Sequence, residues 1–207
     1  MNRDRYNRHL GLAALLTASL LLWCGPVAAQ ATSLPENTTQ QAPEQGLIEA
    51  LSDAVAEESG FEDRFDAQVW MVDMSARIER FITDEQERTE FLRLVHREAR
   101  RADLDPQLVL AVIHVESLFD RFALSHAGAR GIMQVMPFWK NEIGRPEDNL
   151  FDLETNLRYG TTILAYYLDM ENGDEVGGLA RYNGSYGRTW YPERVFNAYQ
   201  ARYTLNR

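Results

Sequence analysis

The segment Pro106-Gln107-Leu108-Val109-Leu110-Ala111-Val112-Ile113-His114-Val115-Glu116 holds the first candidate for chemistry. Val109, Val112, Ile113 and Glu116 fall at i, i+3, i+4 and i+7, so a helix would place them on one face. A carboxyl group then sits at the end of an apolar stripe. Burial there disfavours its charged form and raises its pKa, which is what a general acid needs. The alternative is that Glu116 marks where the helix emerges into solvent, and spacing does not choose between them. Asp120, four residues on, would share the face of Glu116 if the helix continued, and would otherwise be a turn residue.

Two further segments could read a ligand. Ser125-His126-Ala127-Gly128-Ala129-Arg130-Gly131-Ile132-Met133-Gln134 sets glycines and alanines between polar groups. Small residues let backbone approach a ligand closely, and backbone amides or Gln134 could then bind an amide or hydroxyl. An ordinary turn between helices would look similar. Tyr182-Asn183-Gly184-Ser185-Tyr186-Gly187 is polar and aromatic, and a hydroxylated ring suits a sugar face, although Tyr182 is equally suited to a core. His114 lies two positions before Glu116 and is expected on another, exposed face, whereas His126 could touch a cleft. The two histidines do not make a metal-binding spacing. Trp139, Tyr186 and Trp190 could stack on sugars or serve as packing.

The elements that must position these residues are helical. From Phe61 to Phe81, the residues Trp70, Met74, Ile78 and Phe81 recur on one face. Thr83-Asp84-Glu85-Gln86 fits a capping box opened by Thr83, before a helix with Phe91, Leu92, Val95 and Ala99 inward. Asp105-Pro106 reads as an N-cap with proline in the first turn. Asp152 is expected to cap a long helix through Met170, facing Leu153, Leu157, Gly160, Leu164, Tyr167 and Leu168 inward. Pro192 is expected to open the last helix, which carries Val195 and Tyr199. No strand alternation or internal repeat is found, and the fold class is all-α, mainly helical.

Composition bounds the function. The 207 residues are 45% hydrophobic and 25% charged, values of a globular chain, and the net charge of -10 argues against nucleic-acid binding. The one cysteine, Cys24, excludes a disulfide framework and a cysteine zinc site, so neither a metal nor another cofactor is called for. Arg3, Arg5 and Arg8 precede an apolar run from Leu10 to Trp23, followed by Val27-Ala28-Ala29. This is the pattern of a secretory signal peptide over residues 1–29, with cleavage after Ala29, and the run is short of the ~20 residues that span a bilayer. Stable membrane insertion is therefore not expected. Cys24 could instead be acylated, but the bulky Trp23 before it disfavours a lipoprotein signal. Residues 30–60 read as a polar linker with a short helix at 47–58, and residues 61–207 as the helical domain that carries the candidate site.

Taken together, these segments resemble the soluble lytic transglycosylase (SLT) domain family. The match runs through Glu116-Ser117, Ser125, Gly128-Ala129, Gly131-Ile132-Met133-Gln134-Val135-Met136-Pro137, Asn149-Leu150-Phe151-Asp152, Asn156-Leu157-Arg158-Tyr159-Gly160, Tyr182-Asn183-Gly184, Tyr191-Pro192 and Tyr199. It covers about residues 88–203. The resemblance implies a goose-type-lysozyme-like helical fold and cleavage of peptidoglycan glycan strands, the expected partner. It implies Glu116 as the catalytic acid and base. Ser125 and Gln134 would hold the acetamido group or nearby hydroxyls, Met133 would line the cleft, and Tyr182 with Asn183 would place the sugar. The product would be a 1,6-anhydromuramyl end, in a periplasmic or secreted location. Departures lie at Asp120-Arg121, where the family often has Asn-Pro, at Arg181, where it has Ala, and at Gly184-Ser185-Tyr186-Gly187, where it has Ala-Gly-Pro-Gly. These bear on subsite preference. Two other readings stay open: a muramidase using Asp120 to activate water, and a non-catalytic peptidoglycan-binding module.

Overall fold

A computed structural model describes residues 64–205 of the chain. The signal segment, the linker and the helix expected at 47–58 lie outside these residues. The described part comprises α1 (Arg64–Ile78), α2 (Glu85–Arg101), α3 (Pro106–Ser117), α4 (Trp139–Ile143), α5 (Leu153–Met170), α6 (Glu175–Tyr182) and α7 (Trp190–Ala198). A π-helical turn, Tyr199–Tyr203, continues α7. The all-α expectation holds: the described residues contain no strand, only isolated bridges joining Arg130 to Leu124 and to Val135. None of their helices is long and apolar enough to cross a membrane.

Four helices begin at an aspartate in extended backbone whose carboxylate accepts an N–H of the first turn: Asp84, Asp105, Asp152 and Asp174. Each satisfies a backbone donor that the helix itself cannot. The cap of α2 is Asp84, accepting from Glu87 N–H, and not Thr83. Glu85 and Glu87 then both lie in the first turn, where the helix dipole favours negative charge.

Helix α3 is the central element. Leu108, Val109, Leu110, Ala111, Val112 and Ile113 are all buried, with α2, α7 and the π-turn packed around them. A helix apolar on every side is a core helix, so the stripe read from Val109, Val112 and Ile113 is part of a fully enclosed cylinder. Trp70, Met74 and Ile78 of α1 are buried as expected, but Phe81 lies past the helix end, in a turn where its N–H donates to Ile78. The inward residues of α2 and α5 are as expected: Phe91, Leu92, Val95 and Ala99 are buried, and so are Leu157 and Leu164.

Helix α7 starts at Trp190, two residues before Pro192. Proline is tolerated there because N–H groups of a first turn have no intrahelical acceptor. Tyr199 leaves the α-helix for the π-turn, and its hydroxyl donates to Asp105 at 2.7 Å, tying the chain end to the start of α3.

Candidate active site

Glu116 is the second-last residue of α3. Directly after Ser117 the chain turns through two left-handed residues, Leu118 (φ 51°) and Phe119 (φ 68°). Non-glycine residues pay for that conformation, and here buried Phe119 holds it, stacked on Phe81. The turn ends the helix before Asp120. Asp120 is exposed and accepts the N–H of Phe122 at 2.9 Å, so it is a turn residue and not a partner of Glu116 on one helical face.

Ser117 Oγ donates to the Ile132 carbonyl at 2.8 Å and thereby fastens the end of α3 to the segment 123–135. That segment is a tight loop. Ser125 N–H donates to the Ala129 carbonyl, and Ser125 Oγ accepts from Ala129 N–H, both at 3.0 Å. Gly131 has φ +74°, and a Cβ on it would lie 2.4 Å from both Asn156 Nδ2 and the Leu150 carbonyl. Only glycine fits. Asn156, 1% exposed on α5, accepts from Met133 N–H and donates to the carbonyls of Arg130 and Leu150. One buried amide thus fixes two points of the loop and ties them to the backbone at Leu150.

Glu116, Ser117, Ser125 and Gln134 line an open cavity of about 710 Å³ together with residues of α7 and the π-turn. Tyr191 of α7, 1% exposed, donates its hydroxyl to Glu116 Oε1 at 2.5 Å. Burial raises the Glu116 pKa to about 7, opposed by that hydrogen bond and by the charge of Arg194. A carboxyl poised there can give up a proton near neutrality and take one back. Glu116 is the only carboxylate among the lining residues.

A family model, the transglycosylase SLT domain, matches residues 93–203, more than half of the chain. The chain belongs to the transglycosylase SLT domain family. It is 33% identical over 129 residues to a membrane-bound lytic murein transglycosylase C of Sodalis glossinidius, covering 55% of this chain and 35% of that one. To a membrane-bound lytic murein transglycosylase F of Desulfosudis oleivorans it is 37% identical over 103 residues, covering 47% and 22%. Among solved structures, the 70 kDa soluble lytic transglycosylase SLT70 of Escherichia coli aligns with a TM-score of 0.43 and 22% identity, over 71% of this chain and 25% of that one. The matched part spans about a third or less of the length of these proteins.

Within this SLT domain, three of the six expected site residues share the cavity: Glu116, Ser125 and Gln134. Gln134 Nε2 donates to the carbonyls of Ala123 and Gly131, which leaves Oε1 as the group it can present to a ligand. Met133 corrects the expectation of a cleft side chain. It is 0% exposed and packs onto Gly160 of α5, where a Cβ would meet its Sδ at 2.4 Å. Its carbonyl accepts the Tyr182 hydroxyl at 2.8 Å. Tyr182 does not line the cavity but lies close enough to Glu116 that this charge, with burial as the larger cause, holds its phenol well above the usual range. Asn183 forms the C-cap of α6 and likewise does not line the cavity.

His114 is half-buried, contrary to the exposed position expected. Its Nδ1 lies 2.8 Å from the Tyr203 hydroxyl and its ring meets Phe81 and Phe119 edge-on. His126 is exposed and away from the cavity lining, as are Tyr186 and Trp190, while Trp139 packs against Tyr167. Tyr191 and Arg194 are the residues that spacing did not single out. Only the Tyr191-Pro192 pair within the resemblance pointed there, because no local pattern announces a contact 75 residues away.

Proposed function

We propose that this chain is a peptidoglycan lytic transglycosylase that cleaves the β-1,4 bond between N-acetylmuramic acid and N-acetylglucosamine without water. The observation that carries this reading is the arrangement at Glu116: one carboxyl, pKa about 7, held by Tyr191 in a cavity that no other carboxylate lines. Hydrolytic glycosidases generally pair their acid with a second carboxylate as base or nucleophile. A reaction whose nucleophile is the muramyl C6 hydroxyl needs only one. Glu116 protonates the departing glycosidic oxygen, then as carboxylate accepts the C6 hydroxyl proton as that oxygen attacks the anomeric carbon. The proton given equals the proton recovered, and a 1,6-anhydromuramyl end remains. Attack from within the same sugar has a high effective concentration, which replaces an activated water. Ser125 and Gln134 hold the acetamido group or adjacent hydroxyls. The similarity to the membrane-bound lytic murein transglycosylases C and F supports the same reading. Digestion of purified sacculi tests it: wild-type protein releases soluble fragments, and failure to release any would overturn the assignment.

The muramidase reading makes Asp120 the base. Its exposure and its bond to Phe122 N–H place it in a turn instead. Asp120→Asn is therefore expected to retain activity within about tenfold, ~1.4 kcal/mol in barrier height, and to yield the same products. Loss comparable to that of a Glu116 variant would restore the muramidase.

The pH profile carries a sign. Glu116 must be protonated to act first, so kcat/KM is expected to fall as pH rises through about 7. The Tyr191 hydroxyl stabilises the carboxylate form and lowers that pKa. Tyr191→Phe is expected to move the alkaline limb to higher pH. A limb that stays in place or moves down would contradict the coupling.

Export belongs to the same proposal, since peptidoglycan lies outside the cytoplasmic membrane. Cleavage after Ala29 leaves a protein starting at Gln30, periplasmic or secreted, and amino-terminal sequencing is expected to find that residue. An acylated Cys24 would make the protein membrane-anchored.

A further inference from the structure

The part of the cavity lining that α7 and the π-turn supply is cationic in a chain of net charge -10. Arg194 lies three residues after Tyr191 on α7, one turn further along the same face. Arg202 follows on the π-turn, and the small side chains of Ala198 and Ala201 line the cavity between them. Neither guanidinium has an ion-pair partner among the described residues. Arg194 is exposed, and Arg202 is half-buried beside His114, with Arg80 near the same ring. Two unpaired arginines therefore share one cavity with the Glu116 carboxyl.

Resting on the transglycosylase reading, we infer that Arg194 and Arg202 form an anion subsite for the carboxylates of the peptide stems carried by muramic acid. A glycan backbone bearing stems has only hydroxyl, ether and amide groups, which give a guanidinium no charge to pair with. The stems' free carboxylates are the anionic groups that travel with the scissile bond, attached through the lactyl ether of the same sugar. An arginine fork suits a carboxylate, and an open cavity with small side chains between two forks leaves room for a peptide branch. The local positive field also offsets the repulsion that an acidic protein feels from an anionic polymer. The subsite makes stem-bearing strands better substrates than stripped ones.

The competing source of the same chemistry is the lactyl carboxylate, which is free only where a stem has been removed. The test therefore uses two substrates: uncrosslinked glycan strands with stems, and the same strands stripped by an amidase. Wild type, Arg194→Gln/Arg202→Gln and Arg194→Lys/Arg202→Lys are compared by anhydro-end formation across a salt series. The preference for stem-bearing strands, as a ratio of kcat/KM values, is expected to fall ~10-fold or more in the glutamine variant, mostly through KM, with the salt dependence flattened. The lysine variant is expected to keep most of it. An unchanged preference, an equal loss on both substrates, or a larger loss on stripped strands would overturn the inference. If wild type turns over neither substrate, the transglycosylase reading fails. Co-sedimentation of the same variants with stem-bearing and stripped strands then decides the subsite separately, by whether the glutamine pair selectively loses binding to stems.

Discussion

Glu116→Gln is expected to lose at least ~10²-fold in turnover of sacculi while remaining folded. Glutamine keeps the shape of the side chain and an oxygen able to accept the 2.5 Å hydrogen bond from Tyr191. It cannot transfer a proton in either direction, and both steps of the proposed mechanism need one. The stability of this variant has its own sign. The folded pKa of about 7 lies above the ordinary 4.5, so wild type holds its proton to higher pH when folded than when unfolded. Whatever stability the proton contributes is complete below about 4.5 and is lost as pH rises through about 7. The glutamine variant lacks that dependence and is expected to gain on wild type over the same window. Denaturation at pH 5 and pH 8 reads this directly. Near wild-type clearance of sacculi by Glu116→Gln would remove Glu116 from the chemistry.

Asn156→Leu is expected to cost about 3–5 kcal/mol, because three backbone groups lose their partner at once. Leucine is close in volume but leaves Met133 N–H and the carbonyls of Arg130 and Leu150 without the amide they pair with at 2.8, 2.9 and 2.7 Å. For a domain of this size the midpoint of thermal unfolding falls by roughly 10 °C. The same residues carry Gln134 and abut the backbone fastened by Ser117, so activity should fall even at temperatures where the variant is folded. A loss under about 1 kcal/mol, measured by urea unfolding, would mean that the loop is held by something else.

Much of this architecture was legible in the sequence for local reasons. An aspartate at a helix start needs only its own next three residues, and Asp105 and Asp152 were found that way. The amphipathic faces of α2 and α5 followed from periodicity, because each has one solvent side. Helix α3 misled for the opposite reason: buried on all sides, it has no period, so its stripe was a selection from a continuous core. Helix α6 was hidden by Gly177-Gly178, yet Gly178 is there because a Cβ would come within 2.6 Å of Leu168 Cδ2 where α5 and α6 meet. Met133 was placed in the cleft by the family resemblance alone. Its burial is set by Gly160, 27 residues further on, which no local pattern reports. Glu116 was a candidate from its place at the end of an apolar helix and became the expected acid only through the resemblance, while Tyr191, which grips it, depends on packing of α7 against α3.

The claim that one carboxyl suffices is tested most directly by the mass of the ends that the purified wild-type protein makes. Sacculi digested to completion, separated and weighed by mass spectrometry distinguish the two nucleophiles without any variant. Attack by the C6 hydroxyl predicts muramyl ends lacking one water, roughly 18 Da lighter than reducing ends, because no water is consumed when the carboxyl takes back the proton it gave. Muramyl products carrying reducing ends in the fresh digest would contradict it, since they require a water and a second group to activate it.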